Sequence, residues 1–160
     1  MNPGTYIGID PGQKGAITII TINGGNHSLK TTPFKDMTDK DIASRIQRAS
    51  LNTPQGHNLF AMVEHIHIFG KQKGAHKLVK NYGMLLGYCV ACDVPFEEPT
   101  PKTWQKHYGL EKMISEPDHR FKTRMRQKAE QLFPQLAPIP VEVADSILIA
   151  YYCLTIKTRL

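Results

Sequence analysis

Near its N-terminus the chain reads Tyr6-Ile7-Gly8-Ile9-Asp10-Pro11-Gly12-Gln13-Lys14-Gly15-Ala16-Ile17. Tyrosine and isoleucine favour extended backbone, so the residues before Asp10 predict a β-strand that ends in a carboxylate. The Pro11-Gly12 pair predicts a tight turn, after which the apolar residues 16–22 return as an antiparallel partner. An aspartate before Pro-Gly is also ordinary turn chemistry, so two interpretations of Asp10 stay open: a functional carboxylate and a turn-forming side chain.

Three further segments predict strands. The turn signal Asn23-Gly24-Gly25-Asn26 predicts a third antiparallel strand over 27–32. The almost uninterrupted apolar run 59–63 predicts a strand buried on both faces that ends in a second carboxylate, Glu64. A short edge strand is expected within 93–98.

Helical periodicity accounts for most of the remaining chain. Helices are expected from about Thr38 to Pro54, over 75–92, from Pro101, over 118–132 and over 141–157. In the second of these helices, Gly83 and Gly87 are expected to permit close packing. The order of elements predicts an α/β fold with a mixed sheet, in one domain over residues 1–160.

Composition narrows the classes of protein. The 160 residues carry a formal charge of +6 and a pI near 9.3, which favours a polyanionic partner such as nucleic acid, although many soluble proteins are mildly basic without one. Three cysteines are an odd number, which argues against a disulfide framework and for a reducing compartment. Neither a signal peptide nor a membrane span is recognised, so we expect a cytoplasmic protein without a membrane partner.

Four carboxylates are candidates for one site. Glu142 and Asp145 are three residues apart on the last predicted helix, so they share a helix face. Asp10 and Glu64 end strands that we expect to be neighbours. Carboxylates that converge in this way suit Mg²⁺, and two ions about 3.5–4 Å apart promote phosphodiester hydrolysis. The alternative stays open: solvated acids at the start of a helix, and an ion-paired Glu64.

In this order, the segments resemble the RuvC-type Holliday junction resolvases of the ribonuclease H-like nuclease superfamily, especially the compact phage forms. The resemblance covers nearly the whole chain. It is carried by Ile7-Gly8-Ile9-Asp10-Pro11-Gly12, Val63-Glu64-His65-Ile66-His67, the helix with Gly83 and Gly87, Pro101-Lys102-Thr103-Trp104, Val143-Ala144-Asp145-Ser146 and Ile149-Ala150-Tyr151-Tyr152.

The resemblance implies a ribonuclease H-like fold, with a five-stranded mixed sheet whose first three strands are antiparallel and which is flanked by helices. It implies that Asp10, Glu64, Glu142 and Asp145 are the catalytic, metal-binding residues. Many members of the family have Asp where this chain has Glu142, and some have His, so the resemblance leaves open whether Glu142 ligates the metal directly.

The implied activity is that of a crossover junction endodeoxyribonuclease in DNA recombination and repair. Two Mg²⁺ ions per active site, with Mn²⁺ able to substitute, serve hydrolysis. A homodimer makes paired, symmetric nicks in a four-way DNA junction and leaves 5′-phosphate and 3′-hydroxyl ends. For a viral protein, the expected location is the cytoplasm of the host.

Basic side chains predict the DNA-contacting surface. One group follows Glu64 closely and consists of Lys71, Lys73, His76, Lys77 and Lys80. A second group shares one face of the helix over 118–132 and consists of Arg120, Arg124 and Lys128. By the resemblance, Phe69 is the candidate for an aromatic wedge at the junction centre. The alternatives are a phenylalanine packed under its own loop and a solvated basic helix face.

Two other functions remain open on the sequence. The same nuclease site would also suit other branched DNA, such as forks and flaps, or an RNA–DNA hybrid. A junction-binding protein without catalytic activity would need only the basic surface.

Overall fold

The computed structural model describes residues 3–12, 14–67 and 74–158. The strands are β1 (Gly4–Asp10), β2 (Ala16–Asn23), β3 (Asn26–Pro33), β4 (Asn58–Val63) and β5 (Phe96–Glu97). The α-helices are α1 (Asp39–Leu51), α2 (Ala75–Ala91), α3 (Pro101–His107), α4 (Asp118–Leu132) and α5 (Val141–Lys157). None of the helices in these ranges combines the length and the apolar character required to cross a membrane.

The strands form one mixed sheet in the order β3-β2-β1-β4-β5. Within the first three strands, β2 is antiparallel to β1 and to β3, and β4 and β5 run parallel to β1. The predicted five-stranded mixed sheet flanked by helices is therefore confirmed. Since β1 and β4 are parallel neighbours, with Ile9 opposite Val63, both strands end at the same edge of the sheet.

The central strand β1 is buried on both faces, because alternate side chains of a strand point to opposite sides. Ile7 and Ile9 join a core with α1 and α2. On the other face, Tyr6 joins a core formed with α3, α4 and α5. The same alternation places Asp10 on the side of Tyr6, which is the face covered by α5.

The turn after β1 holds the backbone in a tight approach. The Gly12 N–H donates to Asp10 Oδ1 at 3.0 Å, and the Gly15 N–H donates to Gly12 O at 2.8 Å. A Cβ on Gly15 would lie 2.0 Å from the Asp10 carbonyl oxygen, so this position accepts only glycine. The turn thus fixes both the backbone and the carboxylate of Asp10.

Helix α5 crosses β1 at very short range. A Cβ on Gly8 would lie 2.1 Å from the Ala150 nitrogen and 2.5 Å from the Ser146 oxygen, both backbone atoms. The side chain of the same Ser146 also ties α5 to the sheet, because its hydroxyl shares a buried hydrogen bond of 2.8 Å with the hydroxyl of Thr18 on β2. These contacts set how close α5 comes to the end of β1.

The expected close packing at Gly83 and Gly87 is wrong for the described part of the chain. A Cβ at either position would meet no atom within 4 Å. Both glycines lie on the exposed side of α2, whereas Leu85 and Cys89 are the residues of that helix that are buried.

Replacing Gly8 with alanine should destabilise the protein strongly, because backbone atoms of α5 cannot move aside as a flexible side chain can. We expect Gly8→Ala to lower the free energy of unfolding by about 1–3 kcal/mol or more, measured by urea denaturation. Ser28→Ala on the exposed face of β3 is the control, with a change within about 0.5 kcal/mol. Equal stability of the two variants would contradict the close approach of α5.

Candidate active site

Three of the four predicted carboxylates come together at the ends of β1 and β4. Glu64 follows β4 directly, and its N–H extends the parallel pairing by donating to Ile9 O at 2.9 Å. Alternation along the two strands points Asp10 and Glu64 to the face covered by α5. There they line an open pocket of about 470 Å³ together with Gly12, Lys14, Gly15, Lys122, Val141, Glu142 and Asp145.

Each of the three carboxylates has a different donor. Asp10 accepts from the Gly12 N–H, and Glu64 Oε1 accepts from the indole N–H of the buried Trp104 at 3.0 Å. Asp145 Oδ2 pairs with the ammonium of Lys122, which reaches across from α4. Asp145 is only 5% exposed, and among the described residues its Oδ1 has no hydrogen-bond partner.

Burial and mutual repulsion disfavour the charged form of these acids. Loss of solvent raises the pKa of Glu64 to about 8, and the charges of Asp10 and Asp145 act in the same direction. Burial raises the pKa of Asp10, and the negative charge of Asp145 raises it further. Burial opposes the charge of Lys122, but the three carboxylates outweigh it and raise the pKa of Lys122. The ammonium is therefore held as a cation among three acids.

Glu142 lies in the first turn of α5, and its carboxylate is directed elsewhere. It accepts a hydrogen bond of 3.1 Å from Lys35, on the 3₁₀ turn Phe34–Asp36 that follows β3. Its own backbone N–H and then Lys35 lower the pKa of Glu142. The structure thus brings Asp10, Glu64 and Asp145 together and places Glu142 on the pocket wall with a different partner.

The three carboxylates suit a hard divalent cation, because carboxylate oxygens are the ligands that Mg²⁺ prefers. The unpaired Oδ1 of Asp145 is a buried acceptor that faces no donor in the described residues, which a cation would satisfy. In the arrangement with Lys122 bound to Asp145, no three Asp, Glu, His or Cys side chains of those residues surround a common point as metal ligands do. An ion at Oδ1 leaves Oδ2 paired with Lys122, whereas an ion that uses both oxygens of Asp145 requires the lysine to move away.

The predicted DNA-contacting residues on α2 lie close to this pocket. His76, Lys77 and Lys80 are exposed on the first two turns of the helix. The next residue, Asn81, donates to the Pro11 carbonyl at 3.4 Å and so joins α2 to the turn after β1. Three predicted contacts, Phe69, Lys71 and Lys73, lie outside the described residues.

The basic helix α4 is less uniform than its sequence indicates. Arg120 is exposed and Lys128 is half-buried. The guanidinium of Arg124, in contrast, binds both carboxylate oxygens of Glu116, at 2.8 Å and 2.7 Å. It also donates to the Glu111 carbonyl at 3.0 Å, so its donors are largely committed within the protein.

Two residues of the site were not singled out by the sequence. Lys122 stands in a row of basic residues, and nothing in the pattern separates it from its solvated neighbours. Trp104 is buried, and its hydrogen bond to Glu64 was not predicted. A signal for it exists: a buried indole N–H requires an acceptor, and a buried carboxylate requires a donor.

The sheet order, with carboxylates at the ends of β1 and β4 and a C-terminal helix across them, defines a RuvC-like fold of the ribonuclease H class. Two solved structures share it. Thermus thermophilus RuvC in complex with a Holliday junction substrate superposes with a TM-score of 0.61 at 16% identity, over 98% of this chain and 96% of that one. A second structure of Thermus thermophilus RuvC gives the same score and identity over 97% and 96%. No model of a known protein family matches the chain, and no curated protein sequence matches it.

Removing one charge from the cluster should stabilise the protein in the absence of divalent ions. Because the pKa of Glu64 rises from 4.5 to about 8 on folding, the folded protein holds a proton in this pH window that the unfolded chain has released. Stability should therefore fall as pH rises from about 5 to 8. Glu64→Gln should flatten this decline and add on the order of 2 kcal/mol at pH 8.

The measurement is denaturant unfolding in EDTA at several pH values. Glu111→Gln, an exposed glutamate on the loop before α4, is the matched control and should leave the decline unchanged. A wild-type protein whose stability rises between pH 5 and pH 8, with no difference from Glu64→Gln, would show that Glu64 is charged and well compensated.

Proposed function

We propose that the protein is a Mg²⁺-dependent, structure-selective endodeoxyribonuclease that resolves four-way DNA junctions. The observation that carries this proposal is the convergence of Asp10, Glu64 and Asp145 in an open pocket, at the sheet edge of a RuvC-like fold. One protein with this fold, Thermus thermophilus RuvC, is described in complex with a Holliday junction. The chain's charge of +6 supports a polyanionic substrate.

Asp10, Glu64 and Asp145 would hold the metal, and Glu142 would join them after leaving Lys35. Bound there, two Mg²⁺ ions, or Mn²⁺ in their place, would lower the pKa of water and stabilise negative charge on the leaving oxygen. Burial and then mutual repulsion raise the pKa values of Asp10 and Glu64, and a bound cation would offset both effects.

The remaining groups of the pocket orient the acids and meet the phosphate. The Gly12 N–H fixes one oxygen of Asp10, and the indole of Trp104 fixes one oxygen of Glu64. Lys122 balances the cluster before substrate arrives, and once it releases Asp145 its ammonium is available to the scissile phosphodiester. The protein thus supplies orientation and charge, and the attacking oxygen comes from water.

Cations around the pocket would hold the DNA arms. His76, Lys77 and Lys80 flank it on α2, and the exposed Arg120 and the half-buried Lys128 lie on α4. We extend the proposal to Lys71, Lys73 and the wedge residue Phe69, which the sequence places between Glu64 and α2. Contacts of this kind position a duplex by its phosphates and carry no base sequence information.

Asp10→Asn should separate binding from cleavage, because the amide keeps the shape of the side chain and loses its charge. We expect junction affinity within a few-fold of wild type and cleavage at least about a hundredfold slower. The assay uses an end-labelled four-way junction and its matching linear duplex, with Mg²⁺ or with EDTA. Paired nicks in the junction alone are the expected wild-type product.

Two outcomes would contradict the proposal. Undiminished cleavage by Asp10→Asn would remove the carboxylate site from the mechanism. Tight junction binding by wild type with no Mg²⁺-dependent product would indicate a binding protein. Forks, flaps and an RNA–DNA hybrid, assayed beside the junction, establish which shape is preferred.

Symmetric cutting requires two active sites, and we propose a homodimer that uses the exposed face of α2. Val79 and Val90 are exposed on this helix, Val90 to 66%, at a spacing of three helical turns. Gly83 and Gly87 lie between them and leave open space that a second backbone can approach. A twofold dimer buries the same patch on both copies, so this stretch of α2 would meet the same stretch of the partner's helix, with His76 and Lys80 beside it.

Glutamates at Val79 and Val90 should dissociate this dimer, because they would bury unpaired charges at its centre. We expect Val79→Glu with Val90→Glu to raise the dimer dissociation constant by about a hundredfold or more, measured by sedimentation equilibrium. Leu51→Glu, at the exposed end of α1, is the control. Unchanged mass for the double variant would exclude α2 as the interface.

A further inference from the structure

The loop between α3 and α4 presents two large apolar side chains to solvent. Ile114 is fully exposed and Met113 is 63% exposed, at the outer end of residues 111–117. Single exposed apolar residues are common on protein surfaces. Two adjacent ones at a loop tip are notable here because of how the loop is built and where it lies.

The loop is held in shape by an internal network. Arg124 of α4 clamps the Glu116 carboxylate with two hydrogen bonds and also binds the Glu111 carbonyl. The Glu116 N–H donates to Met113 O at 3.0 Å, which closes a turn around the tip. Lys112 pairs with Asp118, across the base of the loop. The apolar tip is therefore held outward by a folded support.

The loop connects the two helices that reach into the carboxylate cluster. On one side, α3 delivers the indole of Trp104 to Glu64; on the other, α4 delivers Lys122 to Asp145. The reach of the chain from Lys122 back to Ile114 places their Cα atoms within about 20 Å. On duplex DNA this distance is about six base pairs.

The surroundings of the tip suit nucleic acid. Lys102, in the first turn of α3, lines a shallow pocket together with Gln105, Glu111 and Lys112 of the loop. Arg120, in the first turn of α4, is exposed shortly after the loop ends. The acids Glu116 and Asp118 are neutralised by Arg124 and Lys112, so they do not repel a phosphate backbone.

We propose that Met113 and Ile114 form an apolar wedge that enters a base step of the DNA arm held at the active site. Inserted apolar side chains offset the loss of base stacking and kink the duplex, which lets more of the protein contact it. The wedge rests on the proposed function, since the DNA is the substrate of the neighbouring pocket. It is separate from Phe69, which precedes α2.

The test is base unstacking in an uncut complex. Four-way junctions carry 2-aminopurine at single positions up to six pairs from the cut, and its fluorescence rises when the base unstacks. Asp10→Asn is the parent protein, and three variants are made in it. The first combines Met113→Ser with Ile114→Ser, the second carries Ile114→Phe, and the third carries Leu51→Ser. Leu51 is exposed on α1 and is the matched apolar control.

We expect the parent to raise the fluorescence at one or two positions in an arm. The double serine variant should lose this signal and bind the junction about tenfold more weakly, whereas Ile114→Phe should keep the signal and Leu51→Ser should leave signal and affinity unchanged. Thermal unfolding of the variants confirms that the exposed substitutions leave the fold intact.

Three results would overturn the wedge. The first is a double serine variant that matches Leu51→Ser in both readouts. The second is a loss of affinity explained by a lower mass of the free protein, which would make the tip a contact between copies. The third is a wild-type protein that cuts junctions with Mg²⁺ while its Asp10→Asn form unstacks no base; the proposed function then stands alone. If the protein unstacks a base but the wild type cuts no junction, the wedge proposal is supported and the proposed nuclease function is contradicted.

Discussion

The position of the three carboxylates at the edge of the sheet where β1 and β4 end depends on the backbone contact between α5 and β1. With no side chain on Gly8, the helix settles directly on the strand, and the Thr18–Ser146 hydrogen bond fixes its rotation. Asp145, the residue before Ser146, is thereby brought to the carboxylate that ends β1. A bulkier residue at Gly8 would lift the helix away and separate acids that come from opposite ends of the chain.

Bringing the three acids together destabilises the folded protein electrostatically. Burial and then mutual repulsion disfavour three charged acids at this site, and one lysine offsets these effects only in part, so the pKa of Glu64 stays raised. Functional sites commonly hold such uncompensated charge, which the rest of the fold must offset. Here two apolar cores, one on each face of the sheet, provide the stability that the cluster removes.

The sequence was sufficient for the sheet, because each strand has a local signal: β-branched runs, a Pro-Gly turn and an Asn-Gly-Gly-Asn turn. It also indicated four converging acids, of which the structure brings three together, since strand ends and helix spacing follow from periodicity. It could not separate Lys122 from the other cations of α4, because which lysine turns inward depends on how α4 lies against α5. The preference of Glu142 for Lys35 likewise depends on a contact between residues 107 positions apart.

The ion pairs made by cations of α4 reduce how strongly salt would weaken the binding of a polyanion to this helix. Of the five basic residues from Arg120 to Lys128, Lys122, Arg124 and Arg126 are engaged with acids. Arg120 and Lys128 make no ion pair with the described residues, so they, together with Lys122 once it has left Asp145, are the cations of this helix that can displace counterions from a polyanion. Of its five positive charges the helix therefore contributes about two or three to the salt dependence of binding, while Arg124 and Arg126 stay paired within the protein.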